Sequence, residues 1–169
     1  MNEKMNVHRQ EFKEGTIVGV EIRPLKKNVD ERGWLAEIFR TDELDPRLRP
    51  VMAYVSETPP GVVRGPHEHS EQTDYFCFLG PSLFEVTLWD NRPHSPSYWR
   101  RQIIVAGEEK ACVVIVPEGV VHAYRNIGTK PGWVINCANR LYAGEGRKGP
   151  VDEIRHEKDR NSPFRLTRE

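Results

Sequence analysis

The stretch "RGPHEHSEQTDYF", residues 64–76, places His67 and His69 one residue apart, with Asp74 five positions further on. In extended backbone alternate residues face the same side, so the two imidazoles enter one space. That space holds a metal ion, a substrate whose proton His67 removes, or packed side chains. The residues on either side favour extended backbone. Short runs rich in β-branched and aromatic residues recur: 16–22 (TIVGVEI), 34–39 (WLAEIF), 51–57 (VMAYVSE), 74–79 (DYFCFL), 83–90 (LFEVTLWD), 99–105 (WRRQIIV), 111–117 (ACVVIVP) and 132–138 (GWVINCA). Between them lie "TPPG", "DNRPHSPS", "AGEE" and "GTKPG", which supply turn residues. The pattern predicts an all-β sandwich or barrel. Only "DELDPRLR" (42–49) suggests a helical turn, and 13 prolines disfavour long helices.

The chain has 169 residues, which suits a single domain spanning 1–169. Its 25 basic and 25 acidic residues cancel, and no basic run suggests nucleic acid as a partner. No apolar run approaches the ~20 residues needed to span a bilayer. The N-terminal "MNEKMNVHRQEFKEG" has no apolar signal core, so the expected location is the cytoplasm, away from membranes. Cys77, Cys112 and Cys137 sit in apolar runs, an odd count that reads as buried thiols and not as a disulfide framework. Trp34, Trp89, Trp99 and Trp133 read as core or interface residues. His8, His94 and His156 show no partner pattern.

A second stretch, "VPEGVVHAYRN" (116–126), spaces Pro117, Gly119, His122 and Asn126 as PxGxxHxxxN. From Gly61, the first stretch reads GxxxxxHxHxxxxD through His67, His69 and Asp74. Together these resemble the two motifs of the cupin superfamily, whose fold is a jelly roll or double-stranded β-helix. The resemblance implies turns at Gly61 and Gly119. In metal-binding cupins, the positions of His67, His69, Asp74 and His122 hold one divalent ion.

A narrower resemblance covers most of the chain. "DERGWLAEIF" (30–39), "GVVRGPH" (61–67), "FEVTLWDNR…SP" (84–96), "VIVPEGVVHAY" (114–124) and "HEKDRNSPF" (156–164) are similar to the dTDP-4-dehydrorhamnose 3,5-epimerase family. Those enzymes are metal-free cupin-fold isomerases, dimeric through N-terminal strands that join the neighbour's sheet. The resemblance implies that His67 is the general base, oriented by Asp159. It implies that Arg64 and His122 are donors near sugar or phosphates, and that Arg32 and Glu37 contact the nucleotide.

Two family residues are absent. Asp74 stands where the family has an enolate-stabilising lysine, a loss on the order of a few kcal/mol of transition-state stabilisation. Ile135 stands where the family has the tyrosine that reprotonates the opposite face. Tyr142, Tyr54 and Tyr124 are candidates to replace it, with Tyr142 counted among substrate contacts. The leading expectation is a homodimeric sugar-nucleotide epimerase or isomerase of carbohydrate biosynthesis, acting without cofactor on an NDP-4-keto-6-deoxyhexose. The alternatives are an enzyme dependent on one divalent metal ion and a non-catalytic sugar-nucleotide-binding homologue.

Overall fold

The computed structural model describes residues 11–166; the N-terminal stretch read above for targeting signals, with His8, lies outside them. Thirteen strands run in chain order: β1 (Lys13–Glu14), β2 (Glu21–Pro24), β3 (Asn28–Asp30), β4 (Gly33–Leu35), β5 (Met52–Thr58), β6 (Val63–Glu68), β7 (Asp74–Phe78), β8 (Leu83–Asp90), β9 (Arg100–Gly107), β10 (Cys112–Val116), β11 (Val120–Asn126), β12 (Gly132–Ala138) and β13 (Ile154–Arg155). They form a six-stranded sheet, β1-β9-β8-β11-β6-β13, and a five-stranded sheet, β2-β10-β7-β12-β5, with β3–β4 as a separate hairpin. This is the expected all-β jelly roll of the cupin type. Among the described residues, helix is limited to single 3-10 turns, one of them at Pro46–Leu48 within the expected helical turn. No described helix is long and apolar enough to cross a membrane.

Apolar layers explain the buried strands. Phe76, Phe78, Phe84, Val86, Leu88, Val114 and Tyr124 belong to the main core cluster. Tyr75, Cys77, Val113, Ile115 and Cys137 form a second cluster, against which Ile38 and Phe39 pack. Trp89, Val121 and Ala123 form a third with Phe164 from the C-terminal tail. Strands β7 and β10 are therefore buried at every position. All three described cysteines are free and buried, and burial pushes the Cys77 thiol up to about 12.

The expected strand at 34–39 ends at Leu35, because Ile38 and Phe39 turn onto the second cluster. The strand expected at 16–22 is displaced to Glu21–Pro24. Strands β6 and β11 are absent from the pattern reading, yet they carry His67 and His122. Gly65 and Pro66 disguised β6 as a turn. They form a bulge there: His122 pairs with His67 but Tyr124 pairs with Arg64. Gly65 has φ +84°, and a Cβ on it would lie 2.6 Å from the His122 carbonyl oxygen. Only glycine fits this close approach. Gly119, expected at a turn, also has positive φ, and a Cβ there would meet Arg92 Cγ at 2.6 Å.

The "DNRPHSPS" connection is tied down by Asp90, which is fully buried. Its carboxylate accepts from Arg92 Nε at 2.8 Å, Arg92 Nη2 at 2.9 Å and Ser95 Oγ at 2.6 Å, and also from Ser97 Oγ. Burial opposes the charge, but these donors outweigh it and hold the carboxyl down at about 2. Asp90→Ala is expected to destabilise the fold by about 3 kcal/mol, because it strands a guanidinium and two hydroxyls. Urea denaturation measures it. The depressed pKa also sets the acid response. The contribution is complete above the unfolded value of about 3.9 and is lost as pH falls toward the folded value.

Candidate active site

His67 lies on β6 and His122 directly opposite on β11, with ring centroids 4.4 Å apart. His69 follows β6 on the same side, its ring 5.8 Å from each of the other two. Asp74 opens β7 on the facing sheet. One ligand-type atom from each of His67, His69, Asp74 and His122 lies within 4.8 Å of the others. The alternation read from "HEH" is thus borne out, and both motifs converge.

Asp74 is nearly solvent-free. Its Oδ1 accepts from Gln72 Nε2 at 2.7 Å and Asn136 Nδ2 at 2.8 Å. Its Oδ2 lies 3.2 Å from His69 Nε2 and 3.1 Å from His122 Nε2. Burial raises the proton affinity of Asp74, but the two histidines outweigh it and hold the carboxyl well below its ordinary value. Burial also opposes the His69 cation, and Asp74 reverses that, raising His69 to about 9. His67 goes the other way. Burial, then the neighbouring His122, push it down to about 2, so it is neutral and its lone pair is available.

A cavity of about 620 Å³ opens above this cluster. His67, His69, Tyr54 and Tyr142 line it, and Arg140, Arg147 and Arg155 supply positive charge. Asn136 Nδ2 donates to the Tyr54 hydroxyl at 3.0 Å, which leaves the phenolic proton free to point elsewhere. Burial pushes that phenol up to about 12.

The tail does fold back, but the expected His67–Asp159 pair is not formed. β13 pairs with β6 so that Arg155 stands opposite His67. The chain then turns, and the Asp159 carboxylate accepts from Asn161 N at 2.8 Å on an exposed surface. A histidine–carboxylate pair does form nearby, with other partners: His156 Nε2 bonds Glu68 Oε1 at 2.9 Å. That gives His156 a role in seating the tail.

Arg64 is committed elsewhere, donating to Thr58 Oγ1 at 2.9 Å and the Glu57 carbonyl at 2.7 Å. Arg32 is 82% exposed and paired with Asp30, and Glu37 pairs loosely with Arg40. Neither Arg32 nor Glu37 reaches this cavity within one chain. His122 does not line the cavity: its Nδ1 bonds the Val120 carbonyl at 3.0 Å and its Nε2 faces Asp74 Oδ2 at 3.1 Å.

Ile135 points away from the site, into the cluster with Tyr75 and Cys77. Its neighbour Asn136 points inward, because successive side chains alternate across a strand. Of the three candidate tyrosines, Tyr54 and Tyr142 line the cavity, whereas Tyr124 is a core residue bonded to Ser56 Oγ at 3.0 Å.

Six residues that matter here were not singled out from the sequence: Gln72, Asn136, Asp152, Arg140, Arg147 and Arg155. Asp152 shapes the site most. Its carboxylate accepts from the backbone N–H groups of Ser70, Glu71 and Gln72 at 2.8, 2.9 and 3.0 Å, and its carbonyl accepts from His69 Nδ1. No local pattern marks a contact across 83 residues.

The comparisons with known proteins agree with this fold. The family model described as dTDP-4-dehydrorhamnose 3,5-epimerase matches residues 14–150. The probable low-salt glycan biosynthesis epimerase Agl13 of Haloferax volcanii is 39% identical over 128 residues, covering 75% of this chain and 81% of that protein. The spore coat polysaccharide biosynthesis protein SpsL of Bacillus subtilis is 33% identical over 126 residues, covering 75% of this chain and 82% of its own. Among solved structures, the dTDP sugar isomerase of Desulfovibrio desulfuricans superposes with a TM-score of 0.75 at 24% identity, covering 88% of this chain and 91% of that one. With the jelly roll, both histidine motifs and these matches in hand, the chain belongs to the dTDP-4-dehydrorhamnose 3,5-epimerase family.

Proposed function

We propose that the protein is a cytoplasmic sugar-nucleotide epimerase or isomerase of glycan biosynthesis, acting on an NDP-4-keto-6-deoxyhexose. The observation that carries this reading is that His67 and Tyr54, an imidazole and a phenol, line one cavity. His67 takes the proton from a carbon next to the ketone, and the bonding pair moves onto the carbonyl oxygen as an enolate. Tyr54 returns a proton to the other face, which inverts the centre. Arg140, Arg147 and Arg155 take the diphosphate, in place of the committed Arg64. The family membership and the glycan-biosynthesis relatives support the substrate class.

Incubation with a dTDP-4-keto-6-deoxyhexose in deuterium oxide tests the reading. The expected result is deuterium at a carbon next to the ketone. Tight binding of the nucleotide sugar with no exchange would overturn it in favour of a non-catalytic binder. Arg147→Ala is expected to raise KM about tenfold with kcat little changed, since a charge-assisted hydrogen bond is worth roughly 1.5–3 kcal/mol. Titration with dTDP reads the same loss.

A homodimer completes the reading. Among the described residues strand β5 is an open sheet edge, and Val55, Trp133, Trp34 and Leu35 are exposed. Such an edge and apolar face call for a cover. In a pair of chains, Arg32 and Glu37 on and beside the β3–β4 hairpin would serve the neighbour's cavity. Light scattering after gel filtration should give twice the chain mass, and Val55→Asp with Trp133→Asp should give monomers. A monomeric native protein would remove the dimer from the proposal.

A further inference from the structure

Asn136 holds the inward position beside Ile135, where motif matching placed a tyrosine. Its side chain is buried and meets partners on both neighbouring strands. Oδ1 accepts from the Tyr75 backbone N–H on β7 at 3.0 Å. Nδ2 donates to Asp74 Oδ1, also on β7, at 2.8 Å and to the Tyr54 hydroxyl on β5 at 3.0 Å. These partners fix which end of the amide is which. A backbone N–H only donates, so it requires the amide oxygen; an ionised carboxylate only accepts, so it requires the nitrogen. Tyr54 therefore meets an N–H, and its oxygen accepts. The two residues are directly opposite in the β12–β5 register, which puts their side chains within reach on one face.

This contact bears on proton transfer. Among the described residues nothing accepts the Tyr54 proton, so that proton stays available to a substrate. A phenol that gives up its proton becomes a phenolate, and a hydrogen bond to a charged oxygen is stronger than one to a neutral oxygen. The Asn136 N–H thus stabilises the state after transfer more than the state before it, which is the difference that speeds a reaction. Burial opposes the phenolate, and the Asn136 bond offsets part of that opposition. Asp74 anchors the amide, and is itself held by Gln72 Nε2 at 2.7 Å. The carboxylate at the family's lysine position then serves the acid half of the reaction.

We infer that Asn136 is the positioning residue for the acid: anchored by Asp74 and by the Tyr75 backbone, it orients the Tyr54 phenol and stabilises the phenolate that proton donation leaves. This rests on the proposed role of Tyr54 as the acid. In the step itself the proton leaves the Tyr54 oxygen, and the O–H bonding pair stays behind as the phenolate. The enolate's carbon–carbon π pair forms the new C–H bond, and the ketone is restored. Asn136 touches neither the substrate carbon nor the proton in flight.

Asn136→Asp tests the inference with the least disturbance. An aspartic acid keeps the oxygen that Tyr75 N requires and carries at most one proton, which Asp74 takes, so the donor to Tyr54 is lost. With a dTDP-4-keto-6-deoxyhexose in deuterium oxide, inversion should fall roughly ten- to a hundredfold, the loss expected for one hydrogen bond to a charged oxygen. Deuterium exchange should stay near native. Adding Asn136→Asp to Tyr54→Phe should lower the residual inversion no further, because the amide acts through the phenol. Exchange that falls with inversion, or a further loss in the double variant, would show a structural role and overturn the inference. Native inversion in folded Asn136→Asp would overturn it too.

A substrate-free measurement applies even where Asn136→Asp fails to fold. In nitrogen-15-labelled protein the Asn136 side-chain amide resonance should shift when Tyr54 is replaced by Phe, and an unmoved resonance would overturn the contact. Failure of the underlying reading looks different: Tyr54→Phe would then invert at the native rate, removing the acid and its positioning residue together.

Discussion

His67→Ala is expected to lower deuterium exchange into the keto-sugar about a thousandfold, within the ~10²–10⁴ range of general-base contributions. The fold should survive. His67 is partly exposed at the cavity, and no hydrogen bond ties its ring among the described residues. Circular dichroism and Tm on the same sample separate a chemical effect from a folding one. Asp159→Asn is the informative control. Among the described residues its carboxylate serves only the Asn161 backbone N–H and does not touch His67, so turnover should stay close to native. A large loss in Asp159→Asn, with normal Tm, would show that the dyad expected from the sequence operates after all. Activity that persists in His67→Ala would remove His67 as the base.

Tyr54→Phe should split exchange from inversion. Deuterium should still enter, because His67 can take and return a proton on one face. Inverted product should fall a hundredfold or more, as for loss of a general acid. The change is conservative: Asn136 Nδ2 keeps its bond to Asp74 Oδ1 when the phenolic oxygen is removed. NMR of the product in deuterium oxide reads configuration and label together. If inversion survives, Tyr54 is not the acid, and Tyr142, which lines the same cavity, is the next phenol to replace. If exchange and inversion fall together, one residue serves both steps.

The contrast between Ile135 and Asn136 shows how far motif matching reaches. Alignment placed the missing tyrosine at Ile135, yet that side chain faces the apolar cluster behind the sheet, and the inward position belongs to Asn136. In a strand, a one-residue slip moves a side chain to the opposite face. The phenol in the site comes instead from β5, where Tyr54 pairs with Asn136 across the sheet. Pairing between strands settled this, and neither strand's own pattern contains it.

The tail gives the same lesson at longer range. "EKDRN" placed Asp159 at the base, and the tail does return to β6, but its register sets Arg155 beside His67 and passes the carboxylate contact to Glu68 and His156. Likewise, the positive lining of the cavity comes from Arg140, Arg147 and Arg155, in a polar segment that offered no period to read.

Local chemistry by itself determined the all-β architecture and most strand positions, and the resemblance of the two histidine motifs to those of cupins implied the convergence of His67, His69, Asp74 and His122. Period-two alternation and turn residues act within a few positions, and the two motifs carry their spacing in the chain. Tertiary structure alone decided which face of β12 meets the site, which tail residue reaches His67 and which ring nitrogens face Asp74. Each of those depends on strand register and on backbone carbonyls contributed by distant or separately paired segments, and a shift of one residue or a change of one acceptor reverses the outcome.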